Sequence, residues 1–136
     1  MQIKIIEPHK SSMGIDAKII SIIMNVIIAV ALVFLSGIVL VVPIIFFFIE
    51  RRSKFVKYQA VLAFIIVVIR IAIIQVMSFP IVILVTIMQA WILLILFNVI
   101  IIVVTTIVYI YIIYLTYNYK QLYISQIEAF VNKISK

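Results

Sequence analysis

Residues 50–60 read Glu50-Arg51-Arg52-Ser53-Lys54-Phe55-Val56-Lys57-Tyr58-Gln59-Ala60 and form the only strongly polar run between two long apolar blocks. Four of the 11 Lys and Arg residues of the chain lie in this run. Basic residues beside apolar segments orient a membrane protein, because they collect on the cytoplasmic side. We therefore predict a cytoplasmic loop whose basic side chains contact lipid headgroups, namely Arg51, Arg52, Lys54 and Lys57.

The composition of the chain indicates a membrane protein. Of its 136 residues, 68% are hydrophobic, whereas a soluble domain is roughly half apolar. The apolar residues form blocks longer than the ~20 residues that a membrane helix needs. The net charge of +7 comes from residues that flank these blocks, so it does not indicate a nucleic-acid partner. We predict a single multi-pass domain, residues 1–136, in the plasma membrane, with the lipid bilayer as a partner.

The first apolar block, residues 19–49, contains no charge. A single helix of that length would measure about 46 Å, whereas the hydrocarbon core of a bilayer is about 30 Å thick. We predict one long or kinked helix over residues 17–50, with Ser36-Gly37 and Pro43 as candidate kinks. The alternative is a two-helix hairpin, which is less favoured because residues 38–49 are too short to cross alone.

Two further helices are predicted over residues 56–79 and 81–117. The first of them should end before Pro80, because proline disfavours helical geometry in the residue before it. The second is either one helix or two helices with a turn near Asn98. Charge bias favours one helix, because the central loop and the tail are both basic and should share the cytoplasmic side. The prediction is three crossings, with the N-terminus outside and the C-terminus cytoplasmic.

The tail, residues 120–134, has apolar side chains at steps of three and four residues. This spacing predicts a short amphipathic helix that lies on the inner leaflet. The apolar residues are Tyr123, Ile127, Phe130, Val131 and Ile134. The predicted fold class is therefore an all-α integral membrane protein with three transmembrane helices and a short C-terminal interfacial helix.

Three segments, in chain order, resemble a small prokaryotic membrane protein family of unknown function that is related to the chloroplast import component Tic-twenty. The first is Ser12-Met13-Gly14-Ile15-Asp16, which is similar to a Gly-Leu-Asp run before the first helix of the family. The second is Phe48-Ile49 with residues 50–60, which is similar to a helix ending in Glu-Lys, a polar loop and Phe-Val-Arg-Phe-His-Ala-x-Gln. The third is Tyr117-Asn118-Tyr119-Lys120-Gln121-Leu122-Tyr123-Ile124, which is similar to Ala-Tyr-Gln-Gly-x-x-Tyr-x-Ile after the last helix.

The resemblance implies three crossings and the same orientation, and it implies little about function. The histidine of the family motif is Gln59 in this chain, and the glutamine that follows it is Leu62. A proton or metal role for that histidine therefore does not carry over. The import role of the distant relatives implies, as an expectation, a small oligomeric transport or protein-insertion factor.

Groups that could perform catalysis are scarce in this sequence. His9 is the only histidine, there is no cysteine, and two glycines are too few for a phosphate-binding loop. The four acidic residues all lie outside the apolar blocks, as Glu7, Asp16, Glu50 and Glu128. We predict a protein that is not an enzyme and has no metal and no cofactor.

Arg70 is the only charged residue inside an apolar block. A charge at the centre of a membrane helix costs at least ~2.5–3.5 kcal/mol, so a specific partner is expected. In the three-crossing arrangement Asp16 is the acid that Arg70 could approach, and we predict an Arg70–Asp16 contact. The alternatives are lipid phosphates or a partner subunit.

Four uncharged polar residues also lie inside the apolar blocks, at Asn25, Gln75, Gln89 and Asn98. Such residues commonly form hydrogen bonds between membrane helices, and a hydrated path is the alternative. The leading functional hypothesis is an accessory or structural subunit of a larger membrane protein complex. Its partners would be other membrane protein subunits, and the transport or insertion factor is the alternative.

Overall fold

The structure is a computed structural model that describes residues 2–34, 38–88 and 91–134. These residues are mostly helical. The elements in chain order are β1 (Gln2–Ile5), α1 (Ala17–Phe34), a 3₁₀ turn (Ile38–Leu40), α2 (Val41–Ile49), α3 (Lys54–Met88), α4 (Ile92–Tyr117), β2 (Lys120–Tyr123) and α5 (Ser125–Ile134).

A two-stranded sheet closes one end of the helical bundle, so the all-α prediction was incomplete. β1 and β2 pair antiparallel, with Gln2 opposite Tyr123 and Ile5 opposite Lys120. The alternation of polar and apolar residues in β1 is a strand pattern that the sequence does carry. We call the end formed by β1, β2, α5 and residues 50–53 the cap end.

The first apolar block is not one helix. α1 ends at Phe34, and after the 3₁₀ turn α2 runs back to Glu50 at the cap end. The predicted single helix over residues 17–50 is therefore wrong, and the hairpin alternative describes this part of the chain. Of the candidate kinks, Ser36-Gly37 lies outside the described residues. Pro43 lies in the first turn of α2, where a backbone N–H has no helical partner to lose.

The third helix passes through Pro80 and ends at Met88, so the predicted end at residue 79 is wrong. Proline removes one hydrogen bond from the helix. Ending the helix there would instead leave up to four carbonyls and four N–H groups unpaired among apolar side chains. Continuing the helix through Pro80 therefore loses fewer backbone hydrogen bonds than ending it there.

The predicted helix over residues 81–117 is divided, and its first residues belong to α3. α4 begins at Ile92 and runs antiparallel to α3, since the Tyr109 hydroxyl donates to the Ala63 carbonyl over 3.3 Å. The chain therefore reverses direction between α3 and α4. Asn98 lies inside α4, so it does not mark the turn.

The N-terminal segment and the central loop lie together at the cap end. The Ser12 amide donates to the Glu50 carboxylate over 2.9 Å, and the Ser12 hydroxyl donates to the Ile49 carbonyl over 3.4 Å. The three-crossing arrangement requires these two segments at opposite ends of the bundle, and that placement is wrong. The reason is the hairpin of α1 and α2, which returns the chain to the end where α1 began.

The far part of the third and fourth helices exposes apolar side chains on nearly every face. Among residues 71–87 and 91–104, whose burial the structure describes, Val85 is the only buried side chain. We call residues 71–88 and 92–104 the apolar hairpin. By length and composition, two of the described helices could cross a membrane, within Lys54–Ile87 and Ile92–Tyr117.

Candidate functional site

Glu50 joins the N-terminal segment to the central loop at the cap end. Its Oε1 accepts hydrogen bonds from the backbone N–H groups of Ser12 at 2.9 Å, Arg52 at 2.9 Å and Ser53 at 2.8 Å. Ser53 then begins α3, because its Oγ accepts from the Val56 N–H at 3.2 Å as an N-cap. Glu50 is 1% exposed. The carboxylate therefore fixes the loop and the N-terminal segment together.

The charge of Glu50 is maintained by these same donors. Burial alone would raise the pKa of the Glu50 carboxyl, but the N–H groups of Ser53, Ser12 and Arg52 together outweigh it and hold the pKa below its usual value. Glu50 is thus ionised at neutral pH, and its role is to accept backbone hydrogen bonds.

His9 is held at both ring nitrogens. Its Nδ1 lies 2.8 Å from the Glu7 carbonyl oxygen, so Nδ1 is the donor in this contact. In the neutral ring Nε2 then accepts from the Ser53 hydroxyl at 2.7 Å. Within the described residues, no group of three or more His, Cys, Asp or Glu side chains could hold a metal ion. The arrangement around His9 locks the N-terminal segment onto the start of α3.

Asp16 lies directly before α1 and caps its first turn. Its Oδ1 accepts from the Lys18 N–H at 3.1 Å and from the Tyr119 hydroxyl. Tyr119 follows the end of α4 with a φ of 52°, a left-handed conformation that often terminates helices. Asp16 therefore joins the start of the first helix to the exit of the fourth.

Arg70 lies far from Asp16, and the predicted contact between them is wrong. Its Nη1 donates to the Leu32 carbonyl over 3.2 Å. Leu32 is about 24 Å along α1 from Asp16 at 1.5 Å per residue. Because α1 ends at Phe34, the Leu32 carbonyl is one of the last four, which lack a partner within the helix. A cation there also complements the negative end of the helix dipole, so Arg70 caps α1 from a neighbouring helix.

Two of the four uncharged polar residues donate hydrogen bonds within their own helices and not between helices. Asn25 is buried, and its Nδ2 donates to the Ser21 carbonyl of its own helix at 2.9 Å. Asn98 is exposed and likewise donates to Leu94 at 2.9 Å. The interhelical prediction is wrong for these two. Gln75 is exposed on the apolar hairpin, and Gln89 lies outside the described residues.

Basic residues cover the cap end. Every described Lys or Arg other than Arg70 lies there or in the first turn of α1 or α3. Arg51, Arg52 and Lys54 are exposed, and the Lys57 ammonium lies 5.9 Å from the centre of the Phe47 ring. The proposed headgroup contacts of these four residues stay a prediction.

A cavity of about 210 Å³ is lined by residues of β1, β2, α3, α5 and the N-terminal segment. Tyr58 lines it and joins α3 to β2, donating to the Leu122 carbonyl at 2.6 Å and accepting from the Ile124 N–H at 2.7 Å. Lys4 and Glu128 close one side as an ion pair at 2.5 Å, which raises the pKa of Lys4 and lowers that of Glu128. These groups hold the sheet and α5 onto the third helix.

No protein-family model, no curated protein and no solved structure matches this chain. The resemblance to the Tic-twenty-related family therefore stays a prediction. The three segments that carry it, residues 12–16, 48–60 and 117–124, meet at the cap end.

Proposed function

We propose that this chain is a non-enzymatic subunit embedded in a larger membrane protein assembly. In this proposal α3 and α4 cross the plasma membrane, and α1 with α2 enters from the cap end and returns to it. The cap end faces the cytoplasm. The observation that carries the proposal is the apolar hairpin, which offers a large surface that is unsuited to water.

Exposure of the hairpin supports a membrane location. Val76 is 71% exposed, Phe79 is 73% exposed and Ile87 is 74% exposed. Monomeric soluble proteins rarely expose contiguous apolar patches larger than a few hundred Å². Lipid or other apolar protein surface would cover these side chains.

The length of the third helix supports a protein partner as well as lipid. Residues 58–88 carry no charge other than Arg70 and measure about 46 Å. Keeping a straight helix of that length inside a core of about 30 Å needs a tilt of about 50°, outside the usual range of about 0–40°. Neighbouring subunits that cover the tip of the hairpin would remove that requirement.

The distribution of basic residues supports a cytoplasmic cap end. Positive charge collects on the cytoplasmic side of a membrane protein, and both described chain ends lie at the basic end of the bundle. This proposal keeps the C-terminus cytoplasmic, as the sequence predicts, and moves the N-terminus to the same side.

Cysteine labelling tests this topology, because the chain has no cysteine of its own. Met13→Cys and Arg51→Cys replace exposed residues at the cap end. Both are expected to react only with reagents that reach the cytoplasm. Labelling of Met13→Cys and Arg51→Cys from opposite sides would contradict the proposed topology.

Co-purification in mild detergent tests the proposed assembly. We expect other membrane proteins at a fixed stoichiometry. The double variant Phe79→Ala with Ile87→Ala should reduce their recovery several-fold, because truncating buried apolar side chains at a helix interface typically costs at least ~1 kcal/mol. The matched control is Ile107→Ala with Ile110→Ala, which truncates exposed residues of α4 outside the hairpin. Purification of a self-oligomer that conducts ions would instead favour the transport alternative.

A further inference from the structure

The cavity of about 210 Å³ at the cap end has an exposed rim and a buried floor. The rim is formed by exposed side chains that carry a charge or an amide, namely Lys4, Lys54 and Asn132. The floor is formed by buried side chains, namely Phe55, Tyr58, Gln121 and Val131. A small molecule that enters the cavity therefore meets polar groups near solvent and mostly apolar groups further in.

Gln121 brings an unpaired polar atom to the floor. It lies directly opposite Lys4 in the sheet, and opposite residues of an antiparallel pair project to the same face. Gln121 is 4% exposed, and its Oε1 accepts no hydrogen bond from the described residues. Buried polar side chains nearly always have a partner, and of the described buried polar atoms that lack one, only this atom belongs to a residue of the cavity. The floor therefore favours a ligand that brings a hydrogen-bond donor.

The charges of the lining favour an anion with a single negative charge. Lys4 forms an ion pair with Glu128 at 2.5 Å. Lys54 instead donates to the neutral Asn132 Oδ1 at 3.1 Å, and an ammonium group has three donors. The two lysines therefore outnumber Glu128, which is the only acidic residue of the lining. With His9 neutral, one negative charge on a ligand would balance the charges of the lining.

The size of the cavity and the apolar part of its floor favour an organic acid over inorganic phosphate. The volume of about 210 Å³ exceeds the roughly 150 Å³ of an apolar cavity that binds benzene. A molecule of about six to ten non-hydrogen atoms would therefore fit. Phe55 and Val131 offer buried apolar surface, and inorganic phosphate has no carbon skeleton to contact it.

We propose that this cavity binds a small organic monocarboxylate that carries a hydroxyl group. The carboxylate accepts hydrogen bonds from Lys54 at the rim, and the hydroxyl donates to the Gln121 Oε1 at the floor. The carbon skeleton between them lies against Phe55 and Val131. These four side chains belong to α3, β2 and α5, so the ligand joins three elements of the bundle. The site does not depend on the proposed membrane location.

Ligand-observed NMR titrations of the full chain in mild detergent test the site, with empty micelles as the blank. The probes are three hydroxy acids of increasing size, each compared with the plain acid that lacks the hydroxyl. The pairs are glycolate with acetate, 3-hydroxybutyrate with butyrate, and 4-hydroxybenzoate with benzoate. We expect at least one hydroxy acid to bind once per chain and roughly 2- to 10-fold more tightly than its plain acid, because of one additional hydrogen bond.

Two variants assign the contacts, and a third is the matched control. Gln121→Leu removes the unpaired oxygen at similar size, so it should abolish the preference for the hydroxy acid and leave binding of the plain acid unchanged. Lys54→Gln removes the charge at the rim and should weaken both acids several-fold. Lys133→Gln removes an exposed lysine of α5 that does not line the cavity, and it should bind both acids like the wild type.

The wild type alone can overturn the proposal, whether or not the variants fold. It fails if none of the three hydroxy acids binds, or if each binds no more tightly than its plain acid. A preference for the hydroxy acid that persists in Gln121→Leu would also contradict it, as would equal losses in Lys54→Gln and Lys133→Gln. Flotation with liposomes tests the membrane location separately, so a protein that floats but binds no hydroxy acid contradicts only the cavity site.

Discussion

Replacement of Arg70 by methionine is expected to open the end of α1. The variant keeps a long unbranched stem and removes the donor to the Leu32 carbonyl, which is 3.2 Å from the Arg70 Nη1. A buried carbonyl left without a partner costs about 1–3 kcal/mol. Amide hydrogen exchange in the last turn of the first helix should therefore accelerate roughly 5- to 150-fold.

Local exchange is the right measurement for Arg70, because overall stability has two opposing contributions. In the proposed membrane location, removing the charge also relieves the cost of about 2.5–3.5 kcal/mol for inserting an arginine in a membrane helix. Gln75→Met is the matched control, since it removes a polar side chain from an exposed position of the same helix. Unchanged exchange in Arg70→Met, or the same acceleration in both variants, would rule out the capping role.

Replacement of Glu50 by alanine is expected to release the N-terminal segment from the central loop. Three backbone N–H groups, those of Ser12, Arg52 and Ser53, lose their shared acceptor. The Ser53 N–H is the fully buried donor of the three, so the free energy of unfolding should fall by about 1–3 kcal/mol. Thermal melting in detergent and proteolysis within residues 6–16 measure it. Glu7→Ala removes an equal charge from an exposed side chain and should melt like the wild type.

The same interaction makes a pH prediction. The pKa of Glu50 in the folded protein lies below its unfolded value of about 4.5, so its stabilisation is complete above that pH. It is lost as the pH falls through the folded pKa. The wild type and Glu7→Ala should therefore lose stability in acid, and Glu50→Gln should lose less. Parallel acid losses in all three proteins would mean that Glu50 does not contribute to the transition.

Local sequence patterns predicted the features that depend on local chemistry. The apolar spacing of the tail predicted a helix over residues 120–134, and a helix does form over Ser125–Ile134 with Ile127 and Val131 buried, whereas residues 120–123 form β2. The predicted helix end before Pro80 was wrong. Proline costs one helical hydrogen bond, but ending a helix among apolar groups leaves more backbone groups without partners. Polar and apolar residues alternate visibly over Gln2–Ile5, but the partner strand lies more than a hundred residues later in the chain. Local patterns therefore could not predict the pairing.

Local sequence patterns could not predict whether residues 19–49 form a kinked helix or a hairpin. Their composition is uniformly apolar, so a kinked helix and a hairpin give the same sequence pattern. The contact of Ser12 with Glu50 distinguishes them in the structure. The error at Arg70 has the same origin. The sequence identified it as a charge that needs a partner, but a backbone carbonyl exposed by the end of another helix has no signature in the sequence.

The pairing of β1 with β2 has a consequence for how the protein is made. Residues 2–5 are synthesised more than a hundred residues before their partners, residues 120–123. At about 5–20 residues per second, the first strand waits roughly 6–24 s for its partner. The closing of the sheet is therefore a late event, which follows synthesis of α1 to α4, and a chain truncated before Lys120 would leave its N-terminal strand unpaired.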